Sequence, residues 1–160
     1  SSAQAPLITV TAYSADFFEE RPIEQIGELQ GFLGTGRKLW INVDGLGSPE
    51  VIHEIGERFH LHPLALEDVV NVHQRPKIEE YEGNLFFVIR MPVDPSPNFT
   101  SEQLTLFFTP GVIITFQELT GGDCFHLVRE RLRKGKGKIR ERGVDYLAYA
   151  LIDAAIDSYF

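Results

Sequence analysis

Residues 77–91 read Lys77-Ile78-Glu79-Glu80-Tyr81-Glu82-Gly83-Asn84-Leu85-Phe86-Phe87-Val88-Ile89-Arg90-Met91. Lys77 to Tyr81 follows a period of two, Glu82-Gly83-Asn84 supplies turn residues, and Leu85 to Met91 is aromatic and β-branched, which together read as a β-hairpin. The pattern recurs downstream, with Glu102 to Thr109 and Val112 to Gln117 flanking Pro110-Gly111. Pro92, Pro95 and Pro97 make the intervening stretch a loop. Four adjacent antiparallel strands are therefore expected over residues 77–117.

Upstream, Leu7 to Ser14 alternates as a half-buried strand does, and Ile23, Ile26, Leu29, Phe32 and Leu33 fall on one helical stripe. Lys38 to Asp44 reads as a strand, and Ser48-Pro49 supplies an N-cap and a first-turn proline for a helix from Pro49 to about Phe59. His62-Pro63 opens a short helix, Leu64 to about Asn71, whose apolar residues leave Glu67 and Asp68 free to face elsewhere. Downstream, a helix over Asp123 to Arg133 leads through a basic, Gly-spaced connector to a final helix from about Val144 to Phe160. Asp157-Ser158-Tyr159-Phe160 holds neither Gly nor Pro, so this helix is expected to continue. The fold class is α/β, a mixed sheet with helices on both faces (an α/β/α sandwich), in a strand order that the sequence leaves open.

At 160 residues, with 43% hydrophobic and 24% charged, the chain suits one globular domain able to bury its own core. No apolar run approaches the roughly 18–20 residues of a membrane-spanning helix. Ser1 to Pro6 lacks the basic and apolar regions of a secretory signal, and the single Cys124 excludes an internal disulfide, so a cytoplasmic setting is expected. Residues 129–142 carry eight of the fifteen Lys and Arg against Glu130 and Glu141, a local charge of +6, so the remainder of this −8 chain stands at −14. Such a field attracts cations and disfavours nucleic acid.

Catalysis finds little footing. His126 lies two residues beyond Cys124 with no third group, and no GxxxxGK[ST] or GxGxxG pattern occurs, so no enzyme is expected. The histidines at 53, 60, 62, 73 and 126 lack the cysteine pairs or HExxH spacing of a zinc site. Asp153 and Asp157 stack at i,i+4 on one helix face, where like charges cost about 0.2–0.5 kcal/mol. Carboxylate oxygens are ligands that Mg²⁺ prefers; a solvated acidic face is the plainer alternative. Glu67-Asp68 is a second pair that can share an ion only if the ion approaches between them, since neighbours on a helix point about 100° apart.

Three segments together resemble the CorA family of magnesium and cobalt transporters. His62-Pro63-Leu64-Ala65-Leu66-Glu67-Asp68-Val69-Val70-Asn71-Val72-His73-Gln74-Arg75-Pro76-Lys77 is similar to the family's HPLxLEDxxNxxQRPK signature. Glu102-Gln103-Leu104 through Phe116-Gln117-Glu118 resembles its second hairpin. Arg129-Glu130-Arg131, Asp145-Tyr146-Leu147 and Leu151-Ile152-Asp153 resemble the entry to its long stalk helix.

The resemblance implies a cytoplasmic regulatory domain over residues 1–142, with 143–160 beginning the stalk of a homopentamer that continues into membrane helices. It implies Mg²⁺ as the regulatory cation, with Co²⁺ as a second candidate, held between subunits by Glu67, Asp68, Asp153 and Asp157. The family's Gly-Met-Asn pore motif is absent from this sequence. A ZntB-like zinc transporter domain and a stand-alone soluble interaction domain are the competing readings.

Overall fold

The computed structural model describes residues 5–92, 101–120 and 122–158. Seven strands form one sheet: β1 (Leu7–Ser14), β2 (Phe17–Ile23), β3 (Lys38–Asp44), β4 (Lys77–Tyr81), β5 (Asn84–Pro92), β6 (Ser101–Thr109) and β7 (Val112–Gln117). Their order is β2-β1-β3-β7-β6-β5-β4. Strand β3 runs parallel to β7, with Ile41 opposite Ile114, and every other neighbouring pair is antiparallel. The two expected hairpins are present and adjacent, sharing the pairing of β5 with β6. At the first turn, Glu82 and Gly83 have φ of 51° and 87°, the double left-handed geometry that lets a two-residue loop match the twist of its strands.

The helices divide between the two faces. Helices α1 (Pro49–Arg58) and α2 (Pro63–Val70) cover the face carrying Leu39, Ile41, Val43, Phe86, Val88, Phe107, Ile114 and Phe116. Helices α3 (His126–Lys134) and α4 (Val144–Asp157) cover the other, carrying Trp40, Met91, Leu104, Leu106 and Ile113. Central β3 and β7 are thus buried on both sides, which explains their near-continuous apolar runs.

Helix α1 starts as its sequence dictates, with Pro49 at the first position and the Ser48 hydroxyl accepting the Val51 N–H at 3.3 Å. Ser48→Ala should lower stability by about 1 kcal/mol, read as a shifted urea midpoint at unchanged slope; no shift would mean that the bond is idle in solution.

At the N-terminal side one expectation is corrected and one strand is added. Phe17–Ile23 is a strand, and the stripe from Ile23 to Leu33 forms a 3-10 helix over Ile26–Phe32 rather than an α-helix. Strand β2 lies at the sheet edge, where Glu19, Glu20, Arg21 and Pro22 are tolerated because its outer side needs no partner. Gly27 and Gly31 weaken a longer helix, while Glu28 accepts the backbone N–H groups of Gln25 and Glu24 at 2.8 and 2.9 Å, bonds that hold its carboxyl below the usual range. The expected continuation of the last helix through Phe160 lies outside the described residues.

Candidate functional site

Helix α2 opens at Pro63 with the His62 Nδ1 accepting the Leu64 N–H at 3.1 Å, so His62 serves as a cap. Ala65 and Val69, four apart, are buried against the sheet; Glu67 is consequently exposed and Asp68 half-buried. The helix end is tied down by side-chain amides. Gln74 Nε2 donates to the carbonyls of Asp68 and Asn71 at 2.6 and 2.9 Å, and Gln103 Nε2 reaches those of Asp68 and Val69 at 3.1 and 3.4 Å. Lys77 Nζ lies 2.8 Å from Asp68 Oδ2 and 2.9 Å from Glu79 Oε1, and the hydrogen bond to Asp68 leads the effects that raise its pKa. The polar residues of the His62–Lys77 signature thus fix where α2 ends and how Asp68 is presented.

Asp153 and Asp157 are exposed on α4, on the side away from the buried Leu147, Leu151 and Ala155. They line an open groove of about 390 Å³ between α3 and α4, shared with Cys124, Leu127, Arg131 and Ser158. Arg131 lines the same groove, its guanidinium over the Tyr146 ring and donating to the Tyr146 hydroxyl at 3.3 Å.

The two acidic pairs belong to helices on opposite faces of the sheet, so one chain does not bring them together. Among the described residues, no group of three or more His, Cys, Asp or Glu is arranged to hold a metal ion. The histidines likewise stay apart from any ligand set: His53 pairs with Glu57 at 3.1 Å, His62 stacks on Tyr81, and His60 takes a left-handed φ of 56° just past the end of α1.

A polar network at the ends of β3 and β7 was not foreseen from the sequence. Trp40 Nε1 donates to Thr115 Oγ1 at 2.9 Å, whose hydroxyl donates to Asn42 Oδ1 at 2.6 Å. Gln117 Nε2 bridges Asn42 Oδ1 and Asp123 Oδ2 at 2.9 and 2.7 Å, and Arg129 grips Asp123 with two bonds of 2.7 and 2.8 Å. Burial pushes the Asp123 carboxyl up, but the Arg129 guanidinium and the Gln117 amide outweigh it and hold the pKa below the usual value. Glu102, at the start of β6, is 3% exposed, and its Oε1 has no partner among the described residues. Burial first, then the carboxylates of Glu118, Asp44 and Asp123, push its pKa up to about 7. The sequence signal was a pair of polar residues, Glu102-Gln103, inside a strand whose two faces are both covered.

Residues 37–160 match the family described as CorA-like Mg²⁺ transporter protein. The cobalt/magnesium transport protein CorA of Thermotoga maritima is 41% identical over 155 residues, 96% of this chain and 44% of that protein. The chain therefore spans less than half the length of this relative. Among solved structures, the soluble domain of CorA from Methanocaldococcus jannaschii superposes with a TM-score of 0.68 at 15% identity, over 95% of this chain and 56% of the other. The ZntB cytoplasmic domain from Vibrio parahaemolyticus gives 0.63 at 13% identity, over 95% and 60%. Both likenesses concern the fold.

Proposed function

The chain belongs to the family of CorA-like Mg²⁺ transporter proteins, and on that premise we propose that it is the cytoplasmic, ion-sensing part of a divalent-cation channel for Mg²⁺ and Co²⁺. Residues 1–142 form the regulatory domain and 143–160 start the stalk leading to membrane helices in a homopentamer. Its role is regulation of transport rather than catalysis. The observation that carries the reading is the placement of Glu67 with Asp68 and of Asp153 with Asp157 on opposite faces of one sheet, all four reachable from outside. Such pairs can share an ion only when one copy's α2 meets another copy's α4.

The energetics follow from linkage. An ion bound only by the closed assembly stabilises it by RT ln(1 + [M]/Kd), about 1.4 kcal/mol per site at ten times Kd. Five equivalent sites supply roughly 7 kcal/mol, enough for the ~10⁴-fold shift that a decisive switch takes. When the ion concentration falls, carboxylates left facing one another repel, subunits part and the pore opens: import is restrained by the imported ion. Lys77, now paired with Asp68, is the charge that an arriving cation would displace.

The fold, shared with both the CorA soluble domain and the ZntB cytoplasmic domain, does not by itself choose the ion. The oxygen-only donor set favours Mg²⁺, because Zn²⁺ sites draw on His and Cys. Calorimetry of the chain with Mg²⁺ and with Zn²⁺, paired with light scattering, tests the reading. Mg²⁺ should bind and promote self-association, and Asp153→Asn with Asp157→Asn should weaken that binding at least about tenfold. Equal Mg²⁺ binding by the double variant, or binding of Zn²⁺ alone, would overturn it.

A further inference from the structure

Glu102 shares a face of β6 with Leu104 and Leu106, packed beneath α3 and α4. Among the described residues the charged groups around it are few, and the Cys124 thiol before α3 is a further titratable group that feels it. Glu118 just beyond β7, Asp44 at the end of β3 and Asp123 before α3 oppose its ionisation, and Arg90 of β5 favours it. Arg129 of α3 is engaged by Asp123, while the buried residues of α4 are all apolar. An ionised carboxylate so buried, with one oxygen lacking any donor and three anions about it, is strongly disfavoured. Gln117 pairs with Leu104, so it sits diagonal to Glu102 on the same face, and its Oε1 also lacks a partner. Two long side chains in that relation are within reach of each other. A proton on Glu102 supplies the donor that this pair of oxygens lacks.

Gln103 points to the opposite face and holds the end of α2 through the Asp68 and Val69 carbonyls. Its own N–H donates to Glu118 Oε2 at 2.9 Å, and the Glu118 N–H donates to its carbonyl at 3.2 Å. Glu118 is therefore bonded to the residue that caps α2, at the peptide N–H that follows Glu102, and its carboxylate opposes the ionisation of Glu102. We propose that Glu102 is a proton-binding switch whose ionisation, by repelling Glu118, shifts Gln103 and with it the end of α2 that carries Asp68. Its effect on ion sensing rests on the function proposed above; the proton site and its coupling to α2 do not.

The sign is fixed by linkage. The folded state holds the proton more tightly than the unfolded chain, so Glu102 favours folding fully below the ordinary carboxyl pKa of about 4.5, and this contribution is lost as pH rises through about 7. The unfolding constant should rise on the order of 10²-fold between pH 4.5 and 8 because of this group.

Carboxyl ¹³C resonances followed against pH in the metal-free chain test the proposal. One glutamate should titrate near neutrality and vanish from the spectrum in Glu102→Gln, and the Val69 and Asn71 amides should shift with the same midpoint. Gln103→Leu should keep the near-neutral titration and lose the α2 response, which covers the case in which Glu102→Gln does not fold. Glutamates that all titrate between about 4 and 5, or a near-neutral Glu102 with unmoved α2 amides, would overturn it. Mg²⁺ affinity compared at pH 6 and 8 then reports separately on the sensing function.

Discussion

Arg129→Met should destabilise the fold by about 3–5 kcal/mol, because it leaves the Asp123 carboxylate, whose side chain is 5% exposed, buried without its counter-charge. The pair is bidentate at 2.7 and 2.8 Å, and Asp123 also orders the start of α3 by accepting the Phe125 N–H at 2.9 Å. The loss is therefore one of an uncompensated charge, not of an attraction alone. Asp123→Asn combined with Arg129→Met removes both charges and should recover much of the cost. Denaturant unfolding near pH 7 of the four species closes the cycle. The His53–Glu57 pair is the control: both side chains are 71% exposed, so removing it should change stability by no more than about 1 kcal/mol. A similarly small effect from Arg129→Met would mean that water reaches Asp123 and that the strand-end network is not closed.

The Arg129 network shows where sequence reading stops. The strands of residues 77–117 were legible because their period of two is interrupted by turns whose glycines, Gly83 and Gly111, suit positive φ. The pairing of β3 with β7 was not, since a parallel neighbour is joined through a long crossover and leaves no local mark in either strand. Without that order, nothing local in the sequence marks Glu102, Gln103 and Gln117 as interior. All three are buried, because helices cover both faces.

The acidic pairs were legible as residues and not as geometry. The signature His62–Lys77 singled out Glu67 and Asp68, and the i,i+4 spacing singled out Asp153 and Asp157. Their placement on opposite faces depends on which side of the sheet α2 and α4 pack. Strand β2 was missed for a related reason. Phe17-Phe18-Glu19-Glu20-Arg21-Pro22-Ile23 has the charge and proline of a loop, and an edge position is what makes it a strand.

Trp40→Ala should cost about 3–5 kcal/mol or more, the largest effect expected of a single core truncation here. Trp40 is 1% exposed, meets Phe125 edge to face at a centroid distance of 5.8 Å, and lies beneath Arg129, whose guanidinium carbon stands 4.9 Å from the ring centre. It therefore seats the start of α3 on the sheet and steadies the group that neutralises Asp123. Trp40→Phe keeps a ring but removes the N–H that Thr115 accepts, and should cost less, about 1–3 kcal/mol. The two residues act as one unit, so Trp40→Phe and Arg129→Met should couple by about 0.5–3 kcal/mol. Circular dichroism is the appropriate probe, because Trp40 is the chain's one tryptophan and its fluorescence goes with it. Strict additivity would break the link drawn between the ring and the buried ion pair, and would leave Arg129 to be positioned by Asp123 alone.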